Sequence, residues 1–464
     1  MSEVIIRILP GERFTPYGLA KKLGARAMLE SASFQKGRER YSLLMIEEAF
    51  RVEQRGRDIW YIADGARRKI KSRARDILDV LLYFANQHHE PQQNFPFPAG
   101  GIGYLSYEFA RMCDTISFTE RHDPLGLPDA AFIFGHVFVV FDHYTDLLYV
   151  IGLNYAEHAV DLVAHVDDAE RRINDLDFNY LQAEQTEYTS TAVEPDARRG
   201  EYLAAVEKVR DEIVAGNLLQ GVLSRRLMIK TDMPAIEAYR RLRTTNPAPY
   251  LFFLDFGEYQ FFGASPEVHV TVKGREVLIR PIAGTRRRGE TDEEDKALEA
   301  ELLADPKECA EHLMLVDLAR NDIGRVCEPG TVRVTEYMEV ERYSRVMHIV
   351  SEARGTLAEG KTGIGALRAT FPAGTVSGAP KIRAIEVIDR LEPYPRRFYA
   401  GCVGYFEPGG HLDTCITIRS AIKKDGHMVL QAGAGIVFDS TPEREYEETG
   451  EKLAALARAV GLEV

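Results

Sequence analysis

Glu308 and Glu311, in DPKECAEHLMLVDLARND, and Glu445 and Glu448, in PEREYEETGEKLAALARAV, form two glutamate pairs at i,i+3 spacing. Residues three apart share one face of a helix, so each segment can aim two carboxylates at one point. If the two helices converge, four carboxylates surround a small volume. Such a cluster repels itself unless a cation lies within it, and hard oxygen donors suit Mg²⁺. The alternative is a pair of solvated helix faces, and the spacing alone leaves both open.

The elements that must position these groups follow from periodicity. Up to about residue 180, strand-like runs (VIIRIL, YSLLMIEEAF, AFIFGHVFVVFDHY, DLLYVIGLN) alternate with helical stretches at Ala74–Gln87 and Ala156–Leu176. PAGGIGYLSYEFAR reads as a Gly-rich turn entering a helix. The polar, aperiodic NYLQAEQTEYTSTAVEPDARRG reads as a linker, giving a first domain at 1–180, a linker at 181–197 and a second domain at 198–464. The second domain opens with the amphipathic EYLAAVEKVRDEIVAG, continues through a series of strands, and carries one long helix over Asp292–Arg320. Strands in hairpin-like succession with interspersed helices predict an α+β or mixed α/β fold rather than a doubly wound parallel sheet.

The 464 residues, 45% hydrophobic and 28% charged, suit a soluble globular chain of two or three domains. A net charge of −13 argues against nucleic acid or an anionic membrane surface as partner, but not against an anionic small substrate in a locally basic pocket. Five cysteines without CxxC spacing fit reduced thiols. With no signal-peptide pattern and no apolar run near the roughly 18 residues of a membrane span, the cytoplasm is the expected compartment.

Other motifs fail on inspection. Gly355–Thr362 (GTLAEGKT) matches a phosphate-loop pattern, yet Glu359 would face the phosphates. Ala432–Gly435 lacks a GxGxxG continuation, Ser265 and Ser377 are not in GxSxG elbows, and there is no zinc-type His/Cys pattern.

RPIAGTRRRG, DPKECAEHLMLVDLARNDIGRV, RYSRVMHIVSEARG, FPAGTVSGAPKIRAIE, GCVGYF, TCITIRSAI and LQAGAGIVFDSTPEREYEET are similar, in wording and order, to segments of the chorismate-utilising enzymes. That family includes anthranilate synthase component I, aminodeoxychorismate synthase component I and the isochorismate and salicylate synthases. The resemblance covers about residues 198–464, and the first half resembles the N-terminal domain of the first two groups. It implies two antiparallel-rich β-sheets packed as a sandwich with flanking helices, chorismate as substrate and Mg²⁺ as cofactor.

By the same resemblance, Glu311 and Glu448 are metal ligands, with Glu445 and Glu308 beside them. Arg419 takes a substrate carboxylate, a match suited to a guanidinium, and Tyr399 and the backbone at Gly433 and Gly435 are its companions. Ala283, Gly284 and Thr285 of the PIAGT segment lie against the substrate. His348 transfers a proton, either to the departing hydroxyl or in pyruvate elimination. Thr375 bonds the substrate or caps the following helix, and Lys452 adds charge to the site or is exposed.

Two absences choose within the family. Ala283 stands where typical aminodeoxychorismate synthases have a lysine, and Gln220 stands where isochorismate and salicylate synthases have a lysine base. Neither can perform that chemistry, which leaves ammonia attacking the ring directly, the anthranilate synthase pattern. No glutaminase segment is recognisable, so a separate glutamine amidotransferase subunit is the expected partner. An enzyme that stops at aminodeoxyisochorismate, an aminodeoxychorismate synthase working without lysine, and an inactive tryptophan-binding scaffold are the rivals.

Glu30 and Ser31 of the LES segment, Tyr41 of RYS, and Pro249, Tyr250 and Leu251 of NPAPYL resemble the tryptophan pocket of feedback-inhibited anthranilate synthases. Met and Ser of the usual NPSPYM are replaced by Leu251 and Ala248. The alternative is that these segments only pack the two domains together.

Overall fold

The computed structural model describes residues 3–33, 37–38, 40–89, 95–175, 187–193, 198–343 and 346–462. Every described ladder is antiparallel, and 22 strands join one hydrogen-bonded network beside a separate two-stranded ladder. Helices cover the faces of this mixed α/β arrangement.

Strand periodicity builds two apolar cores. In the strand Tyr41–Arg55, Leu43 and Met45 enter one core while Leu44 and Ile46 enter the other. Successive side chains of a strand point to opposite faces, so a strand apolar on both faces must be covered on both. Its partner Ala130–Asp142 is buried along its whole length for the same reason.

The two sequence halves are joined by ladders. Ala27–Glu30 pairs with Tyr250–Asp255, and Ile102–Leu105 pairs with Cys402–Phe406. Part of the expected linker, 181–186 and 194–197, lies outside the described residues. Its Ser190–Val193 stretch differs from the linker reading, because it forms a strand against Gln220–Thr231.

Three helix boundaries differ from expectation. The single helix expected over Asp292–Arg320 is two, Asp292–Ala304 and Pro306–Gly324. Proline has no N–H to continue the first helix but fits the first position of a new one. Asp305 caps that new helix by accepting from Lys307 N at 2.9 Å and Glu308 N at 3.3 Å. The stretches expected at Ala74–Gln87 and Ala156–Leu176 are shorter, Ile77–Ala85 and Leu162–Asn174, because Asp76 and Asp161 cap them from the N-terminal side. Among the described residues no helix is long and apolar enough to cross a membrane, and all five cysteines are free thiols, four of them buried.

Asp76 also ties the halves together. Its fully buried carboxylate accepts from Arg368 Nε at 3.0 Å and from an Arg368 terminal nitrogen at 2.6 Å, besides capping Leu78 N at 3.0 Å. Removing it leaves the Arg368 guanidinium half-matched in a buried setting. Asp76→Ala is expected to cost about 3–5 kcal/mol, and the double variant with Arg368→Met less. Thermal unfolding followed by circular dichroism measures both; equal losses would refute the pairing.

Candidate active site

The strand Ile282–Arg287 meets Val346–Thr356 with a register shift between Ala283 and Thr285, and Gly284 takes a φ of 67° there. A positive φ suits glycine, and the resulting bulge turns a carbonyl out of the ladder. His348 Nδ1 lies 2.9 Å from Gly284 O and 3.1 Å from Thr285 Oγ1. A carbonyl oxygen only accepts, so Nδ1 carries the proton and Nε2 keeps its lone pair. Burial, and then the positive charge of Arg419, hold the His348 pKa down to about 4, so the imidazole is a neutral base at ordinary pH.

Arg419 joins the strands Leu412–Ile416 and Ser420–Lys424 at a φ of 49°. Among the described residues it has no ion-pair partner; the carboxyl that influences it is Glu267. Burial lowers its pKa, and Tyr343 and Glu267 oppose that shift. A guanidinium held this way is a ready carboxylate receptor.

Glu267 was not singled out by sequence pattern. It is 6% exposed, and burial pushes its pKa up to about 8 against the pull of Thr375 and Arg419. Thr375 Oγ1 is near enough to soften that shift, yet it is buried without hydrogen-bond geometry to any described group. Glu267 is therefore a carboxylic acid, a proton donor, near neutrality. Its backbone is clamped by Ile416 N donating to Glu267 O at 3.0 Å. The signal available in the sequence was Glu267-Val268-His269, whose alternation puts an acid and an imidazole on one strand face.

Gly433 and Gly435 belong to the ladder between Gln220–Thr231 and His427–Ile436, in which Gly433 faces Ser224 and Gly435 faces Val222. A Cβ on Gly433 would lie 2.7 Å from the Tyr399 hydroxyl and 2.8 Å from Leu223 O, so glycine allows close approach of backbone to ring. Tyr399 is buried, which raises its phenol pKa, while a backbone contact with Gly433 opposes the rise. Lys452 Nζ donates to Gly433 O at 3.0 Å and pairs with Glu448 at 2.7 Å, so it belongs to the site although its side chain is partly exposed.

The glutamates act on one another electrostatically. Burial raises the Glu311 pKa; a hydrogen bond from Gln220 opposes the rise, and Glu308 and Glu448 add to it. Glu445 is likewise raised by burial, with Glu448 adding to the shift. Three of the four face an N–H donor, and the Ser440 side chain hydrogen-bonds Glu445. Gln220 Nε2 donates to Glu311 at 3.0 Å, Arg286 pairs with Glu308 at 3.2 Å, and Lys452 pairs with Glu448. Among the described residues no three His, Cys, Asp or Glu side chains form a ready metal-binding group. Gly284 also links the halves of the site, since a Cβ there would lie 3.2 Å from a Glu308 carboxylate oxygen.

A second cavity of about 400 Å³ is lined by all six of Glu30, Ser31, Tyr41, Pro249, Tyr250 and Leu251. Glu30 Oε2 accepts from Tyr239 at 2.6 Å and pairs with Arg243 at 2.9 Å, whereas its Oε1 is buried without a partner.

The profile described as chorismate binding enzyme matches residues 47–458. The chain belongs to the chorismate-binding enzymes. It is 64% identical to an anthranilate synthase component 1 of Spirochaeta aurantia over 100% of this chain and 96% of that one. It is 42% identical to the protein of that name from Cereibacter sphaeroides, over 99% and 94%. The crystal structure of anthranilate synthase component I from Streptococcus pneumoniae superposes with a TM-score of 0.80 at 38% identity, covering 90% of this chain and 92% of the other.

In this chorismate-binding enzyme, a step that needs the Glu267 proton is fastest below about pH 8 and declines as pH rises through that value. Glu267→Gln is expected to abolish that alkaline limb and lower kcat by roughly 10²–10⁴-fold. The variant should also melt later than the parent at pH 8–9. The folded-state pKa is raised, so the stability of the protonated carboxyl is whole below its ordinary value of 4.5 and lost by about 8. Rate profiles, corrected for the free ammonia present, and melting curves across pH 6–9 measure both effects. An unaltered alkaline limb in the variant would refute the assignment.

Proposed function

We propose that this chain is the chorismate-converting component of an anthranilate synthase, forming anthranilate and pyruvate from chorismate and ammonia. The observation that carries this reading is Gln220. Its amide is committed to Glu311 at 3.0 Å and has no basicity with which to activate water. Ala283 opposite Ile349 offers no amine for a covalent intermediate.

The chemistry assigns one role to each group. Arg419 and the Tyr399 hydroxyl, with the backbone at Gly433 and Gly435, bind the enolpyruvyl carboxylate. Ammonia attacks carbon 2 of the ring and sheds a proton to solvent, both ring double bonds move one place, and the bond to the carbon 4 hydroxyl breaks as Glu267 transfers its proton to that oxygen and water departs. His348 Nε2 then takes the carbon 2 proton as the ether bond breaks, and the enolate that leaves gains a proton from solvent to become pyruvate. The lone pair at Nε2 suits His348 to this second step rather than to protonating the hydroxyl.

Glu311, Glu448 and Glu445, with Glu308 beside them, would hold Mg²⁺: the negative charges of Glu308 and Glu448 already act on Glu311, and that of Glu448 on Glu445. When bound, the ion supplies Lewis-acid polarisation of a substrate carboxylate. Ammonia comes from a separate glutamine amidotransferase subunit. Free thiols at all five cysteines fit a cytoplasmic setting. We assign catalysis to 198–464 and effector binding to a cavity shared with 1–180.

Incubating the protein with chorismate, Mg²⁺ and an ammonium salt at pH 8 is expected to give anthranilate fluorescence with equimolar pyruvate. Aminodeoxyisochorismate without pyruvate, or aminodeoxychorismate, would instead support a rival. Glu311→Ala should lower turnover by at least about 100-fold.

The second cavity is read as a site for tryptophan. The unpartnered Glu30 Oε1 suits an ammonium donor, and the apolar lining suits an indole. Ser31→Leu narrows the cavity and should raise the tryptophan concentration for half-inhibition about tenfold or more while leaving the uninhibited rate within twofold. Equal sensitivity in the variant would refute the site.

A further inference from the structure

Beside Glu267 is a small space of about 30 Å³ whose lining includes Glu267, His269, Thr370, Thr375 and Asp322. A buried water needs roughly 10–15 Å³ of such space and two to four polar partners, so the volume takes about two. The polar partners are present and unsatisfied. Thr375 Oγ1 and His269 Nδ1 are both buried without a hydrogen-bond partner among the described residues. His269 Nε2 faces the Thr370 carbonyl at 3.4 Å, which leaves Nδ1 as a lone-pair acceptor. His269 is 2% exposed, and burial holds its pKa near 3, so it stays neutral. An acceptor of this kind needs a donor, and none of the described residues supplies one.

At the far end Lys381 Nζ donates to Asp322 at 2.6 Å and to the same Thr370 carbonyl at 3.1 Å. The Lys381 and Asp322 side chains each keep about 12% exposure, so the pair borders both the cavity and solvent. The remaining walls are apolar, including Val268, Leu315, Leu318 and Ile416.

We propose that two waters in this cavity, held by Thr375 and His269, relay protons from the Asp322–Lys381 pair to Glu267 after each turnover. The proposal rests on Glu267 being the proton donor. In the chemical step the Glu267 O–H bond breaks and its proton goes to the departing hydroxyl. In the reset, a cavity water gives a proton to the Glu267 carboxylate and takes one from the next water. That water takes one from the Lys381 ammonium through Asp322, and Lys381 recovers a proton from solvent. No charge accumulates, and no other co-reactant is needed. The charged groups facing the path are Arg419 at Glu267, Lys381 at His269, and Arg325 and Asp114 at Asp322.

The test uses the full chain with chorismate, Mg²⁺ and ammonium. Asp322→Asn with Lys381→Met removes both charges together, so neither is left buried and unmatched. It is expected to lower kcat about tenfold with KM unchanged, and to enlarge the solvent deuterium isotope effect. Added formate or imidazolium should restore the rate in proportion to its concentration, which a merely structural defect would not allow. His269→Phe, which replaces the acceptor nitrogen by carbon, should act in the same direction. A crystal structure at about 1.5 Å should show water bonded to Thr375 Oγ1 and His269 Nδ1. A dry cavity, or unchanged kcat and isotope effect in both variants, overturns the relay. Glu267→Gln separates the two claims. If it keeps full activity, the acid assignment fails and the relay with it; if it is inactive while the relay variants are normal, only the relay fails.

Discussion

A buried guanidinium, Arg419, with no carboxylate partner among the described residues is the constraint on which this site depends. Placing a cation in a low-dielectric cleft is costly, and the ordinary remedy is an ion pair. Glu267 is the group positioned to provide one. Had it ionised, it would neutralise Arg419 and close the anion receptor. Burial instead keeps Glu267 protonated to about pH 8, so one environment leaves a cation available for a substrate carboxylate and a proton available for a leaving group. Neither property belongs to its residue alone. Each follows from the desolvation of both.

The strands that carry these groups also form the wall of the second cavity. Pro266 and Val268 line that cavity, while Glu267, Val268 and His269 line the small space, so one segment borders both. Similarly, Ile282 lines the cavity and Ala283, Gly284 and Thr285 follow it to the His348 contact. A ligand that shifted these strands by a fraction of an ångström would alter the Gly284–His348 and Glu267–Arg419 relations together. Close-packed interiors transmit such displacements rather than absorb them.

How much of this was legible in the sequence differs by residue. The glutamate pairs were visible because helical spacing is a local property. The helix break at Asp305-Pro306 was also local, and the rule that proline begins helices would have found it. Arg419, Tyr399 and His348 were placed by resemblance rather than by pattern. Glu267 escaped both, because nothing in Ser-Pro-Glu announces burial; its acidity depends on walls from the segments around Leu315, Gly374 and Ile416, which only the fold assembles. The strand Ser190–Val193 was missed for a related reason. It is polar and short, and it is a strand only because Gln220–Thr231 offers it an edge.

Gln220 illustrates how a single position can set the nucleophile. Its strand pairs with the glycine-bearing strand, and a Cβ on Gly435 would lie 2.6 Å from the Gln220 amide nitrogen. That nitrogen donates to Glu311 and the amide oxygen is buried without a partner. A lysine here would face the same carboxylate as an ammonium. It would have to lose its proton, beside a negative group that favours keeping it, before it could activate water. The amide avoids that cost. It holds Glu311 in place without neutralising it, so the negative charge remains available to a divalent cation, and the unpartnered oxygen offers an acceptor to an N–H donor such as incoming ammonia. A neutral, hydrogen-bonding side chain at this point of the strand is therefore compatible with amine transfer and unsuited to hydration, although every group that binds the ring stays the same.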